Sequence, residues 1–173
     1  MNGHFTLAKH LKDHWNQMRE FITADYNILD ETERKQKTAE VRKLSAVAAA
    51  AIVPIPIPFA DIWTITPIQI IMVRAIGNIH GHRPSVKTAI ELITVVGGGW
   101  LGRQTFLALL KIGLPVAGGL VGVGVAYYWT LGMGKAAELY YLSGMKSSKL
   151  QMKAVVEEEI KRNSSIGEPK TLI

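Results

Sequence analysis

The sequence predicts an all-α protein, a helical bundle of apolar, glycine-rich helical hairpins flanked by amphipathic charged helices. Three observations predict it. Apolar residues near the N-terminus recur at three- and four-residue steps, the period of a helix face. Capping residues and proline or glycine stops punctuate the chain at Asp30, Pro54, Thr66, Gly81, Ser85 and Gly144. No run of alternating strand-like and helix-like segments appears that would build a sheet.

Phe5, Leu7, Leu11, Trp15, Met18, Phe21 and Ile22 share one face, with Lys9, Lys12, Asp13, Asn16 and Glu20 between them. This is an amphipathic helix of about five turns, which packs on the rest of the protein or lies in a bilayer interface. Asp30-Glu31-Thr32-Glu33 is an acidic cap, with Glu33 at the third helical position. The helix it starts is charged to Lys43 and almost wholly Ala, Val and Ile from Leu44 to Val53. Its second half therefore enters a core or a bilayer. Pro54 ends it, because proline removes a donor and disfavours helix in the residue before it. Ile55 to Ala60 is expected to be extended, the bend of a first apolar hairpin.

Thr66 is the expected N-cap of the next helix, with Pro67 at its first position and Gln69 reaching back to the cap. That helix carries one charge, Arg74; Gly77 interrupts it and Gly81 ends it. The loop His80-Gly81-His82-Arg83-Pro84 reads as a solvated basic turn, with a histidine pair that senses pH or binds a phosphate as the alternative. Ser85 caps a helix to about Val96, in which Lys87 and Glu91 are spaced to pair. A glycine turn follows, where Gly98 and Gly102 form a small-xxx-small pair that lets two backbones approach. Gly118 and Gly122 repeat that spacing. They lie in a run without charge, Ile112 to Gly134, bounded by Lys111 and Lys135 and carrying Tyr127, Tyr128 and Trp129 toward one end. Such a run matches a membrane span, with a fully buried central helix as the alternative. The helix continues to Leu142 and stops at Ser143-Gly144. Ser147 or Ser148 caps a last helix to about Asn163, in which Glu157-Glu158-Glu159 reads as a solvated face. Beyond Asn163 a loose polar tail is expected. The chain thus divides into a charged segment 1–43, an apolar core 44–142, and a C-terminal helix and tail 143–173.

Composition limits the function classes. Hydrophobic residues make up 48% and charged residues 20% of the 173, which leans toward the membrane end of the globular range. The net charge of +6 is spread along the chain, without the dense basic run of a nucleic-acid tail. A mild positive excess beside apolar segments suits an anionic membrane surface better. With no cysteine, disulfides, thiolate metal sites and cysteine nucleophiles are excluded. The N-terminus lacks the basic-then-apolar order of a secretory signal, so a location on the cytoplasmic side of a membrane is expected.

Motifs that could carry chemistry are incomplete. His10 and His14 have ligand spacing, but no glutamate follows His10 as the metalloprotease pattern needs. Gly97-Gly98-Gly99-Trp100-Leu101-Gly102 has the dinucleotide spacing, yet no acidic residue stands about 20 positions on. Gly132-Met133-Gly134-Lys135-Ala136 lacks both the first glycine and the Ser/Thr of a P-loop. Asp61 and Glu91 are the only acids of the apolar region before Gly134. Asp61 is read as a cap for the turn before Thr66, or as a buried acid pairing with Arg74 or Arg103.

The order of several segments points to a family. These are Ala49-Ala50-Ala51-Ile52-Val53-Pro54-Ile55-Pro56, Phe59-Ala60-Asp61 and Thr66-Pro67-Ile68-Gln69-Ile70-Ile71-Met72. Ile79-His80-Gly81, the Gly97–Gly102 turn, and Gly118 and Gly122 leading to Lys135-Ala136-Ala137 follow in the same order. From about Leu44 to Leu142 the chain resembles domain-of-unknown-function family 697, the YcjF-like, GTPase-associated family. The resemblance implies an all-helical membrane module that works beside a GTPase domain. This chain has no P-loop, so the GTPase would be a separate partner. The expectation is therefore a non-enzymatic, membrane-associated helical protein without cofactor or metal. Its partners would be membrane lipids, further copies of itself and a GTPase, and no nucleic acid. The alternatives are a soluble homo-oligomer packed through its glycine faces, and a helical carrier of a small ligand or lipid.

Overall fold

The computed structural model describes residues 3–52, 60–98 and 118–164. Among the described residues there are six helices and no strand: α1 (Gly3–Thr23), α2 (Glu31–Ile52), α3 (Ala60–Ile79), α4 (Val86–Gly97), α5 (Gly118–Leu142) and α6 (Lys149–Ser164). The protein is an all-α helical bundle.

Local chemistry sets most helix ends. Asp30 Oδ1 accepts from Glu33 N at 2.8 Å, and Glu33 Oε2 accepts from Asp30 N at 3.0 Å, a closed capping box at the start of α2. Ser85 Oγ accepts from Thr88 N at 3.1 Å and starts α4. Ser148, not Ser147, caps α6, exchanging bonds of 2.8 and 3.2 Å with Gln151. Gly81 (φ +82°) and Gly144 (φ +64°) end α3 and α5 in the left-handed conformation that glycine adopts without strain. In both turns the following N–H reaches back five residues, His82 to Gly77 and Met145 to Tyr140, which satisfies the last carbonyls.

Short turns make neighbours antiparallel. Met18 lies against Ser45 and Phe21 lies under the Lys37 ammonium, so α1 and α2 run in opposite directions. Arg34 reaches the end of α3 while Ala48, Ile52 and Ile68 cluster together, so α3 runs back along α2. Gly134 of α5 sits on Arg42 of α2 and Met72 of α3. The most extensive packing joins α5 to α6, α5 to α2, and α2 to α3. One core includes Met18, Val41, Met72, Ile76, Leu92, Trp129, Met133, Tyr141, Met152 and Val156, and so draws on every helix. The boundary expected at residues 43–44 falls inside α2, and the C-terminal helix shares the same core.

The bundle has two unlike ends. The turns 24–30, 80–85 and 143–148 gather at one of them. There Arg34 donates to Tyr26 O (2.9 Å), Leu29 O (3.1 Å) and Ile79 O (2.6 Å), and His82 Nε2 meets Tyr141 O at 3.0 Å. The last turn of α2, the first of α3 and α5, and the end of α4 lie toward the other.

Three sequence expectations change. Thr66 does not start α3, which begins at Ala60 and carries Pro67 inside it on an exposed position. Pro67 removes one intrahelical bond, and the burial of Ile68, Met72, Ile76 and Ile79 holds the helix across the gap. Ala60 is thereby helical, and the rest of the expected extended stretch, 55–59, lies outside the described residues. Gly77 does not interrupt α3 either; a Cβ there would lie 2.5 Å from Pro84 Cγ and Cδ, so glycine is what lets the α3–α4 turn fold onto the helix. The expected span 112–134 finds no support: among the described residues no helix is long and apolar enough to cross a membrane. Residues 112–117 lie outside the described part, and α5 continues past Gly134 through Lys135 and the buried Glu138 to Leu142.

Candidate functional site

Two polar features stand out. The first is a cleft of about 320 Å³ between the end of α1, the last turns of α3 and the α3–α4 turn. Ile22, Thr23, Arg74, Asn78, Arg83 and Pro84 line it, and none of these six is acidic. Arg74 and Asn78 are one turn apart on α3, which places them side by side. The Arg74 Nε donates to Pro84 O at 3.2 Å, tying the turn to the helix. The Asn78 side-chain amide donates to Phe21 O at 3.0 Å and Ala24 O at 2.8 Å, which satisfies carbonyls that the end of α1 leaves open. Arg83 is exposed and has φ +43°, a left-handed conformation that is uncommon for a side chain of its size.

The loop holding Arg83 is less solvated than the sequence reading expects. His80 is half-buried, with Nε2 3.2 Å from Thr38 Oγ1. Burial pushes its pKa down; Glu138 opposes this, and Arg34 and His82 add to it. The His82 ring stacks on Tyr141 at 5.3 Å. Burial raises the Tyr141 hydroxyl well above its ordinary range, and the neighbouring Tyr140 adds to this.

The second feature is a buried ion cluster between α2, α5 and α6. Arg42 Nε lies 3.9 Å from Glu138 and Arg42 Nη1 3.7 Å from Glu159. Glu138 also pairs with Lys135 at 2.9 Å, and Glu159 with Arg162 at 2.7 Å. Glu157 and Glu158 are exposed, but Glu159 is only 8% exposed, so the solvated face expected for all three does not hold. The signal was present in the sequence: Met152, Val156 and Glu159 stand at i, i+4 and i+7, one helix face. Arg42 and Glu138 carried no comparable signal.

The residues singled out from the sequence are scattered. Asp61 is the second residue of α3, and Arg74 stands thirteen positions further along the same helix, ~20 Å away along its axis. That separation is too long for the two to pair along one helix, and with α3 starting at Ala60 the stretch before Thr66 is helix and not a turn. The side chain of Asp61 lies outside the described residues, as do Arg103 and Gly102. Gly98 is the C-cap of α4, its N–H bonded to Thr94 O at 2.8 Å. Gly118 and Gly122 lie in the first turns of α5. Among the described residues, close approach through glycine occurs at Gly132 and Gly134. A Cβ on Gly132 would lie 3.0 Å from Val156 Cγ1, and one on Gly134 would lie 2.6 Å from Arg42 Cγ. Among the described residues no group of three or more His, Asp or Glu could hold a metal.

Residues 17–164 match the sequence profile of the domain of unknown function DUF697. The chain belongs to this family. No curated protein and no solved structure matches it. The DUF697 match is wider than the resemblance read over 44–142. It begins in the last turns of α1 and ends with α6, so the arginine cleft and the whole ion cluster fall within the DUF697 domain.

Proposed function

We propose that this DUF697 domain is a non-enzymatic helical module that associates with a membrane through one end and works with a separate GTPase. The polarity of the bundle carries the membrane part. Toward the end away from the three turns, α2 is nearly all Ala, Val and Ile, and Val47 is 58% exposed there. Val95 is exposed near the end of α4, and α5 has no charge before Lys135. The two connections that leave this end, 53–59 and 99–117, hold only Arg103 and Lys111 as charged residues. An apolar surface with a few cations suits an anionic interface and needs no spanning helix. The GTPase part rests on the resemblance first read in the sequence, and the end that carries Arg34, His80 and Arg83 is the one left free to meet it.

Sedimentation with lipid vesicles tests the membrane part. The protein should pellet with vesicles of anionic lipid, less so at high salt, and Val47→Asp should weaken this without lowering the melting temperature. Protein that stays in the supernatant with every vesicle, and after high-speed centrifugation of a detergent-free lysate, sinks the reading. For the partner, a GTPase should be retained on the immobilised protein in a nucleotide-dependent way. A second reading, a homo-oligomer, is favoured by Val86 and Ile90, one turn apart on α4 and 47% and 44% exposed. A mass that rises with concentration in detergent-free sedimentation would select it.

A further inference from the structure

We infer that the cleft between α1, α3 and the α3–α4 turn binds a small phosphate-bearing molecule, with Arg74 and Arg83 as the phosphate ligands. Arg74 and Arg83 both line one cleft of about 320 Å³ whose six lining residues include no acid. A second cation that serves only solubility has no reason to share a concave site with the first, since like charges there repel. A tetrahedral dianion resolves that repulsion, and guanidinium forks match phosphate oxygens.

The way each arginine is held supports a ligand role. Apart from Asp61 in its first turn, Arg74 is the only charged residue of α3. Its Nε is used on Pro84 O, which sets the plane of the guanidinium and leaves the two terminal nitrogens of the fork for a ligand. Arg83 is held at φ +43° directly before Pro84, where glycine or asparagine would be less strained. Strain of this kind concentrates where a side chain must be aimed.

Size and surroundings narrow the ligand. The volume is at the low end for small-molecule sites, which suits a phosphate ester of a small polyol better than a dinucleotide. Asn78 spends its amide hydrogens on Phe21 O and Ala24 O, so its remaining oxygen can only accept, as a hydroxyl-bearing ligand requires. The cleft also lies at the turn end of the bundle, opposite the apolar end, which favours a soluble ligand over a lipid headgroup.

Thermal shift and titration calorimetry on the full chain, at constant ionic strength, test this. Inorganic phosphate and ribose 5-phosphate should each raise the melting temperature, the ester more, and ribose and chloride should not. Arg83→Gln should melt like the parent, because the residue is exposed, and should weaken phosphate binding by about tenfold or more. Arg74→Lys keeps the charge but loses the fork and should weaken it as well. No shift at millimolar phosphate, or a shift that Arg83→Gln leaves intact, overturns the inference. So does an Arg83→Gln protein that keeps phosphate binding but loses vesicle binding, since the arginine would then serve a lipid surface.

Discussion

A single substitution, glycine to alanine, should have opposite signs at two positions of α5. In a helix interior the change is worth about 1 kcal/mol in favour of alanine, through backbone entropy alone. At Gly124 an added Cβ meets nothing within 4 Å, so Gly124→Ala should stabilise by about 1 kcal/mol. At Gly134 the same carbon would lie 2.6 Å from Arg42 Cγ, 3.0 Å from Arg42 Cδ and 3.1 Å from Met72 Sδ. The Arg42 stem cannot swing away freely, because its head lies 3.9 Å from Glu138 and 3.7 Å from Glu159. Overpacking of this kind costs about 1–3 kcal/mol, which offsets or exceeds the propensity gain. Gly134→Ala should therefore be destabilising by about 1 kcal/mol. The two variants would then differ by about 6 °C in melting temperature for a chain of this size. Calorimetry reads the difference directly. A double-mutant cycle isolates the cause: in an Arg42→Ala background the clash is gone, and Gly134→Ala should turn neutral or stabilising. Should Gly134→Ala match Gly124→Ala in the parent chain, the close packing of α5 on α2 would be refuted.

Three other outcomes follow from the same contacts. Arg42→Met takes from the buried Glu138 and Glu159 the cation they share, and urea unfolding should show a loss of about 3 kcal/mol; an unchanged midpoint would mean the cluster contributes nothing. Asn78→Leu strips two carbonyls, Phe21 O and Ala24 O, of their donor, and should cost about 2 kcal/mol with faster hydrogen exchange at the end of α1; unchanged exchange there would show that water replaces the amide. His80 is held below its ordinary value of 6.5, so the unfolded chain takes up a proton that the folded chain refuses. The stability it contributes is present above that value and is lost as the pH falls through the folded pKa. Melting temperatures should drop on acidification from about pH 6.5, and His80→Gln should flatten the curve; parallel curves for the two proteins would refute this.

Much of the fold was legible along the chain. The capping box at Asp30–Glu33, the Ser85 cap, and the glycine stops at Gly81 and Gly144 form where the sequence places them. The start of α3 was not legible, since Thr66-Pro67-Ile68-Gln69 carries a strong start signal that packing overrides. Of the candidate site, Arg74 was marked for a partner that its own helix keeps out of reach, and the basic turn holding Arg83 was read as solvated. Asn78 gave no sign of its role, because its two acceptors stand 57 and 54 residues earlier.

The division has a physical reason. Caps, stops and helix faces depend on residues within about one turn of each other, so the sequence by itself determined an all-α chain and the approximate place of its helices. Contacts between helices depend on which faces meet, and no local pattern states that. Only the tertiary structure decided that Glu159 turns inward to Arg42, that Gly132 and Gly134 carry close packing between helices, and that Arg74 and Arg83 share one cleft.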